Sequence, residues 1–475
     1  MMKTFWIGIC ALGFLLPAAA ASAADMRPNI LFLLADDQAP WALGAAGHRH
    51  AKTPSMDRLA REGAYLVNAF TTTPVCSPSR ASLMTSRYGT ELGITDWIRP
   101  GPEDNLGLDP KTVTWPEVLQ AAGYKTGLVG KWHLGDKPQF HPQKTGFDYF
   151  MGFLGGGNSP VNPKLEKDGE TRKFEGLTPD ILTDHAIEFI RTNKADPFLL
   201  CVHYRAPHAR WLPVADADWE PFEELNPTIP NPDYPKLDVE RVKKMTREYL
   251  ASVASVDRNV GRILQTLDEE KLADKTVVIY TSDHGYNMGH NGIWHKGNGH
   301  WVLTEPPAAE PNIPKGQRPN MYDNSIRVPT LVRWPGVVKP GLVVESTVGN
   351  LDWYPTLVAI AGAQLPPGEK IRGRDIGSVL RGSPPADWEN DSYAEYSTHH
   401  QSHTHMRMYR TAQWKLIRDF LNPDRDELYD LVDDPAEQKN LIHSDLPEVT
   451  QAISELDAKI RQKMDQIGDK TKRPE

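Results

Sequence analysis

The stretch Pro74-Val75-Cys76-Ser77-Pro78-Ser79-Arg80 places a thiol immediately before a predicted helix start. Pro78 suits the first helical position, because the N–H it lacks has no partner there. Ala81, Ser82, Leu83 and Met84 can carry the helix on. A group at Cys76 then meets free backbone N–H groups and the positive end of a helix dipole, which favour an anion. Arg80, four residues on, can face the same spot with a planar fork suited to oxyanions. On residue types alone, Cys76 is either such a site or a buried loop cysteine, the ordinary fate of a lone thiol.

The second set of reactive residues is acidic. Asp36 and Asp37 follow an apolar run, NILFLLA, and Asp283 and His284 follow another, TVVIYT. Three carboxylates at close range repel one another. A hard divalent cation with oxygen ligands, most simply Ca²⁺, resolves the conflict. The alternative is that each aspartate merely ends its strand as a turn or cap residue. His284 breaks the all-oxygen set and opens the site to softer ions. Lys131 and His133 in Gly-Lys-Trp-His, His208 in Ala-Pro-His, and Lys296 in His-Lys add cationic and proton-transferring groups.

Positioning these groups falls to alternating strands and helices. Apolar runs at 29–35, 126–129, 197–204 and 276–281 read as buried strands. Helical patterns cover 54–62, with Thr53 as N-cap, then 114–122, 179–194 and 239–267. The alternation predicts an α/β fold: a large, mostly parallel sheet flanked by helices. All four runs deliver polar residues just past their C-terminal ends, where open α/β sheets bind ligands. The C-terminal part reads differently. Short strands at 393–397 and 414–418 precede an amphipathic helix at 446–467, an α+β pattern of antiparallel sheet plus helix. Prolines 366, 367, 384 and 385 mark the junction, so the expected division is 25–370 and 371–475.

Residues 1–24 have the outline of a secretory signal peptide: Lys3, a short apolar core, and Ala21-Ser22-Ala23 as a cleavage site. The expected destination is the periplasm or the exterior, with no membrane span. Cys10 leaves with the signal. Cys201, inside an apolar run, reads as core, and no disulfide is expected. In a chain of 475 residues the net charge of −9 is mild and no basic block appears, which argues against nucleic acid as a partner.

Cys-x-Pro-Ser-Arg resembles the maturation signature of the type I sulfatase family, formylglycine-dependent hydrolases of the alkaline phosphatase superfamily. The resemblance spans about 27–382. It includes Ser-Asp-His-Gly at 282–285, PTLVRWPG at 329–336 and DWYPTL at 352–357, and it recurs in WKLI at 414–417 and ELYDL at 427–431. It implies that a formylglycine-generating enzyme oxidises Cys76 to an aldehyde whose hydrate attacks sulfur. It implies a metal held by Asp36, Asp37, Asp283, His284 and the residue made from Cys76. It also implies that Arg80, Lys131 and Lys296 offset charge, that His208 protonates the leaving alcohol, and that His133 takes a proton from the hydrate. Many relatives have Asn where this chain has His284. The expected function is hydrolysis of sulfate esters of a polysaccharide or glycosaminoglycan fragment. A phosphodiesterase or phosphonate hydrolase of the same superfamily and a non-catalytic glycan-binding protein are the alternatives. The long segment 297–319, with His300 and Trp301, begins beside Lys296. With the run His399-His400-Gln401-Ser402-His403-Thr404-His405 it is expected to form a sugar pocket; the alternatives are a surface insertion for the segment and a solvated loop or adventitious metal binder for the run.

Overall fold

A computed structural model describes residues 27–472; the predicted signal peptide and Cys10 lie outside them. The strand Asn29–Ala35 is buried at every residue. A strand with no polar face must be central. It pairs in parallel with Phe198–His203 on one side and Thr276–Ser282 on the other. Lys125–Lys131 and then Tyr149–Phe153 continue the parallel run. Leu331–Arg333 is antiparallel beyond Thr276–Ser282. The completed sheet has ten strands. Alternate side chains of the central strand enter opposite cores. Ile30, Phe32 and Leu34 pack with Trp115 and Trp353, whereas Leu31, Leu33 and Ala35 pack with Leu182, Val256 and Val260. This is the expected α/β architecture.

Three local expectations are corrected. The helix runs Cys76–Thr85, so it begins at Cys76 and not at Pro78. Proline is tolerated at the third position because the N–H groups of the whole first turn lack intrahelical partners. Lys131 is the last residue of its strand and does not lie past it, because the parallel register carries on to a Lys131–Phe153 pair. Thr53 holds the N-cap position of helix Pro54–Glu62, but its side chain makes no cap bond. Asp257, from helix Val239–Glu269, accepts from Ser55 N and Met56 N instead. Cys201 sits at the centre of its strand, fully buried, and neither it nor Cys76 is in a disulfide. Among the described residues no helix is long and apolar enough to cross a membrane.

Toward the C-terminus, four antiparallel strands form a second sheet: Ser392–Thr398, Thr404–Arg410, Trp414–Asp419 and Glu427–Asp430. Leu416, Leu428 and Phe420 take helix Pro447–Ile467 through Val449, Leu456 and Ile460. Ala394, Tyr396, Met406 and Met408 pack onto Val75, Ile293, Met321 and Tyr322 of the large unit. The seam also holds buried charge. Lys415 Nζ donates to Asp323 Oδ1 at 2.9 Å and to Glu437 Oε1 at 2.6 Å, and Arg410 lies 3.2 Å from Asp323. Lys415→Ala leaves two buried carboxylates short of a counter-charge and is expected to cost about 3–5 kcal/mol. Urea unfolding measures this, and a loss under about 1 kcal/mol contradicts the clamp.

Candidate active site

The carboxyl ends of the parallel strands face the first turn of the Cys76 helix. Cys76 Sγ lies 3.4 Å from Asp36 Oδ1, 3.3 Å from His284 Nε2 and 3.1 Å from Lys296 Nζ. That helix is buried on every side, so polar bonds must fix it as well as packing. Ser79 Oγ donates to Asp283 O, Asn350 Nδ2 donates to Ser79 O at 3.0 Å, and Ser77 Oγ accepts from Ile98 N at 2.9 Å. Arg80 does more than face the thiol. Its Nε donates to Asp283 Oδ2 at 3.0 Å and Nη1 to Lys131 O at 3.1 Å. Nη2 has no hydrogen-bond partner and lies 3.9 Å from Asp36 Oδ1.

The acidic residues are matched one by one. Lys131 Nζ is 2.7 Å from Asp36 Oδ2, and Lys296 Nζ is 2.7 Å from Asp37 Oδ1. Burial opposes ionisation of both aspartates, but the surrounding cations prevail. Lys131 chiefly holds Asp36 well below the usual carboxylate range, and Lys296 chiefly holds Asp37 at about 2. Burial likewise opposes the charge on Lys296, yet Asp37 keeps its ammonium above the usual lysine value. Asp283 Oδ1 accepts from Asp37 N at 3.2 Å.

The donor set fits a divalent cation. Ligand atoms of Asp36, Asp37, Cys76 and His284 lie within 4.8 Å of one another. Asp283 is adjacent, with Oδ1 3.4 Å from His284 Nε2, while its other oxygen is taken by Arg80. Two further features support the fit. Asp37 Oδ2 is buried without a partner. His284 Nδ1 bonds Gly285 O at 3.0 Å, and a carbonyl only accepts, so the proton sits on Nδ1. The Nε2 lone pair of the neutral ring therefore faces Asp37 and Asp283 at 3.2 and 3.4 Å. Lone pair against carboxylates is repulsive, and a cation among them removes the repulsion.

His133 and His208 flank this centre. His133 Nε2 donates to Ile98 O at 3.0 Å, which leaves Nδ1 buried, unpartnered and free to accept a proton. His208 Nδ1 donates to Ala209 O at 2.6 Å, so its Nε2 is the exchanging atom. Burial lowers both rings, His208 to about 4 and His133 well below the usual value, so both rest neutral. Asp37 and His133 hold left-handed backbone, φ 74° and 63°, strain of the kind that collects at functional sites. Gly130 has φ 119°, and a Cβ there would lie 2.0 Å from His203 O, so only glycine lets the Lys131 strand approach so closely.

Several supporting residues were not singled out in the sequence. His203, the last residue of its strand, bonds Lys131 O through Nδ1 at 3.1 Å. Asn320 Nδ2 donates to Lys296 O at 3.1 Å. Asp96 accepts from His399 N at 3.1 Å and from Tyr396 Oη at 3.3 Å. Histidine ending an apolar strand beside the Ala-Pro-His turn could have flagged His203; the others meet only through the fold.

The two expected substrate segments do meet, but neither is a free loop. His300–Trp301 is a short strand paired with Ile293–His295. Trp301 is half-buried, with the Arg318 guanidinium 6.0 Å from its ring centre. Gly297 N donates to Pro74 O at 3.0 Å, which ties the segment to the Cys76 turn. Gln317 and Asn312 bond Gln401 and the His403 amide. His399 and His400 turn away to Glu103 and Trp97: His399 Nε2 is 2.8 Å from Glu103 Oε1, and His400 Nε2 donates to Trp97 O at 2.8 Å.

A buried thiol beside an acidic cluster that fits a cation, ringed by lysines and histidines at the mouth of an α/β sheet, is an arrangement suited to hydrolysing anionic esters. Residues 28–363 match the family described as Sulfatase, and 317–466 match N-sulphoglucosamine sulphohydrolase, C-terminal. The chain belongs to the sulfatase family and is a sulfuric ester hydrolase. It is 28% identical to an N-acetylglucosamine-6-O-sulfatase of Bacteroides thetaiotaomicron, over 90% of this chain and 86% of the relative. It is 30% identical to an ulvan-active sulfatase of Formosa agariphila, over 94% and 83%. Among solved structures, one protein in complex with its substrate D-glucosamine-2-N,6-O-disulfate superposes with TM-score 0.80 at 26% identity, covering 94% of this chain and 99% of that one.

Burial pushes the Cys76 thiol up to about 12, and Asp36 adds to it against Lys131 and Lys296. At pH 8 only about one unmodified thiol in 10⁴ is then thiolate, the reactive form. The native unmodified protein is expected to resist iodoacetamide at pH 8 and to react at Cys76 after unfolding in urea. Mass spectrometry reads both, and fast native labelling of Cys76 contradicts the burial argument.

Proposed function

We propose that the protein is an exported sulfatase acting on a sulfated carbohydrate, with Cys76 converted to formylglycine by a maturation enzyme. The reading rests on one observation above the rest: a carboxylate, an imidazole lone pair and an ammonium all converge on Cys76 Sγ within 3.1–3.4 Å. Asp36, Asp37, Asp283 and His284 would hold one divalent cation, most simply Ca²⁺ given the oxygen donors. Bound there, the ion supplies Lewis acidity toward a sulfuryl oxygen. Formylglycine at position 76 supplies a hydrated aldehyde as the nucleophile.

The chain's own groups do the rest. The free Nη2 of Arg80 orients an oxygen at position 76. Lys131 and Lys296 hold positive charge where negative charge develops on the sulfuryl oxygens. His208 rests with its proton on Nδ1, so its Nε2 first takes up a proton, which the negative charge of a bound sulfate ester favours, and then gives that proton to the leaving alcohol. His133 accepts a proton at Nδ1 from the position-76 group. Burial of Arg80, Lys131, His133 and Lys296 keeps water from competing. An aryl phosphodiester is the discriminating second substrate. The phosphonate monoester hydrolase of Agrobacterium radiobacter shares the fold, with TM-score 0.70, but at 21% identity the likeness reaches no further.

Co-expression with a formylglycine-generating enzyme is expected to yield the aldehyde at position 76 by peptide mass spectrometry, and hydrolysis of an aryl sulfate well above that of an aryl phosphodiester. Cys76→Ala should abolish turnover with the fold intact, and Asp37→Ala should lose the ion by elemental analysis. Full activity with an intact thiol, or without metal, sinks the mechanism. For the carbohydrate, Tyr234 and Trp301 line an open groove of about 490 Å³ whose aromatic rings can stack on sugar faces. Trp301→Ala should lower kcat/KM by about tenfold or more on a sulfated saccharide, beyond its effect on an aryl sulfate, from the loss of about 1.4 kcal/mol of stacking. Equal losses reject the groove.

A further inference from the structure

The loop that carries His208 holds two arginines that no carboxylate neutralises. Arg205 stands two residues past the Phe198–His203 strand and is 4% exposed. Its carbonyl accepts from His208 N at 3.0 Å, so the guanidinium and the imidazole leave the same turn. Nη1 donates to Arg210 O at 2.6 Å, and Nε is buried without a partner. Arg210 itself is exposed. Among the described residues neither arginine is in an ion pair, whereas Arg80, Lys131 and Lys296 each have one. The two cations also repel each other.

Such an arrangement is costly. A buried guanidinium without a counter-ion forfeits its hydration, and a second arginine beside it adds repulsion. Asp36 and Asp37 act on Arg205 from a distance, but Lys131 and Lys296 already sit against them. Burial draws Arg205 down only to about 10, so it remains charged at neutral pH. Two more buried donors border the loop without acceptors, Trp211 Nε1 and Tyr286 Oη. Their rings lie 6.4 Å apart, and Trp211 is also 6.4 Å from Trp294, two residues before Lys296. Tyr286 follows directly on Asp283-His284-Gly285. Unpartnered donors therefore gather in and beside the loop that carries His208, and two of them belong to a buried guanidinium and the tyrosine next to the 283–285 turn.

We propose that Arg205 and Arg210 form a second anion subsite beside His208, which receives a carboxylate or a second sulfate on the saccharide that carries the cleaved ester. The inference rests on the sulfatase reading and narrows its substrate class to saccharides with two anionic groups. A guanidinium fork matches both oxyanions, in bidentate geometry that a lysine cannot copy. An exposed arginine at the rim steers the dianion, and the buried one anchors it. His208 then finds the leaving oxygen at a fixed place, because its own loop holds the far end of the substrate.

The experiment compares matured wild-type enzyme with Arg210→Ala and Arg205→Lys. The substrates are 4-methylumbelliferyl sulfate and a panel of monosulfated hexoses and hexosamines. Each saccharide is paired with the same sugar bearing a second sulfate and with the same sugar linked to a hexuronate. Wild type is expected to prefer one dianionic class by about tenfold or more in kcat/KM, the worth of one charge-assisted contact. That class tells sulfate from carboxylate. Both variants should lose most of this preference through KM, and added salt should weaken it in wild type. Arg210 is exposed, so its variant carries the test even where the Arg205 variant folds poorly, as thermal unfolding would show. A wild type without preference for dianionic sugars, or variants that lower every substrate alike, overturns the subsite. Failure of the matured wild type on the aryl sulfate as well overturns the sulfatase reading, and the subsite falls with it.

Discussion

Asp36, Asp37 and Asp283 bring three carboxylates into a space that water hardly reaches, and the rest of the site answers that conflict. Two like charges 4 Å apart repel by about 4 kcal/mol at an effective dielectric near 20. A few such terms rival the net stability of a domain, about 5–15 kcal/mol. The fold meets the demand with Lys131, Lys296 and Arg80, each from a different segment. The position of each cation is thus set by a carboxylate, and the position of each carboxylate by the end of a buried strand. Cys76 stands at the centre of this lattice because its helix is tied to it through Ser79 and Asp283.

The C-terminal sheet takes part in the same lattice at one remove. Lys415 grips Asp323 at the start of the short helix Asp323–Ile326. Within that helix Ser325 Oγ donates to Asn320 Oδ1 at 2.7 Å, and Ser325 O accepts from Gly285 N at 2.9 Å. Asn320 in turn holds the carbonyl of Lys296. Two turns that border Cys76, one with His284 and one with Lys296, therefore hang on a lysine far along the chain. The apolar face carrying Tyr396 and Met408 fills the space beneath Val75, so packing and polar bonds act in the same direction.

The four adjacent parallel strands at the middle of the large sheet were legible because they are almost wholly apolar, a pattern that only a doubly covered sheet accommodates. The acidic cluster was legible because its residues follow directly on those strands. Helix boundaries were less so: Pro78 marks a first turn without saying which residue of the turn it occupies. The second ring of contacts had no local pattern at all. Asp96 and His399 are 303 residues apart and meet only when the two sheets are packed together. Arg205 carries no signal in the sequence; only the fold shows that no acid forms an ion pair with it. The histidine run divides for a similar reason, His399 and His400 following the acids of one wall while the His403 amide follows Asn312.

The place of the first strand in the sheet also sets a timetable. Asn29–Ala35 lies at the middle, and its neighbours begin only at Phe198 and Thr276. A chain growing from its N-terminus at roughly 5–20 residues per second needs about ten to fifty seconds to supply both neighbours. Until then the central strand has at most one neighbour to pair with and the turn at Pro74 has no floor. Cys76, only 2% exposed once folded, stays open to the surroundings for that interval. Anything that another protein does to this side chain must be done before the last neighbour arrives, so the length of chain between residues 35 and 276 acts as a clock.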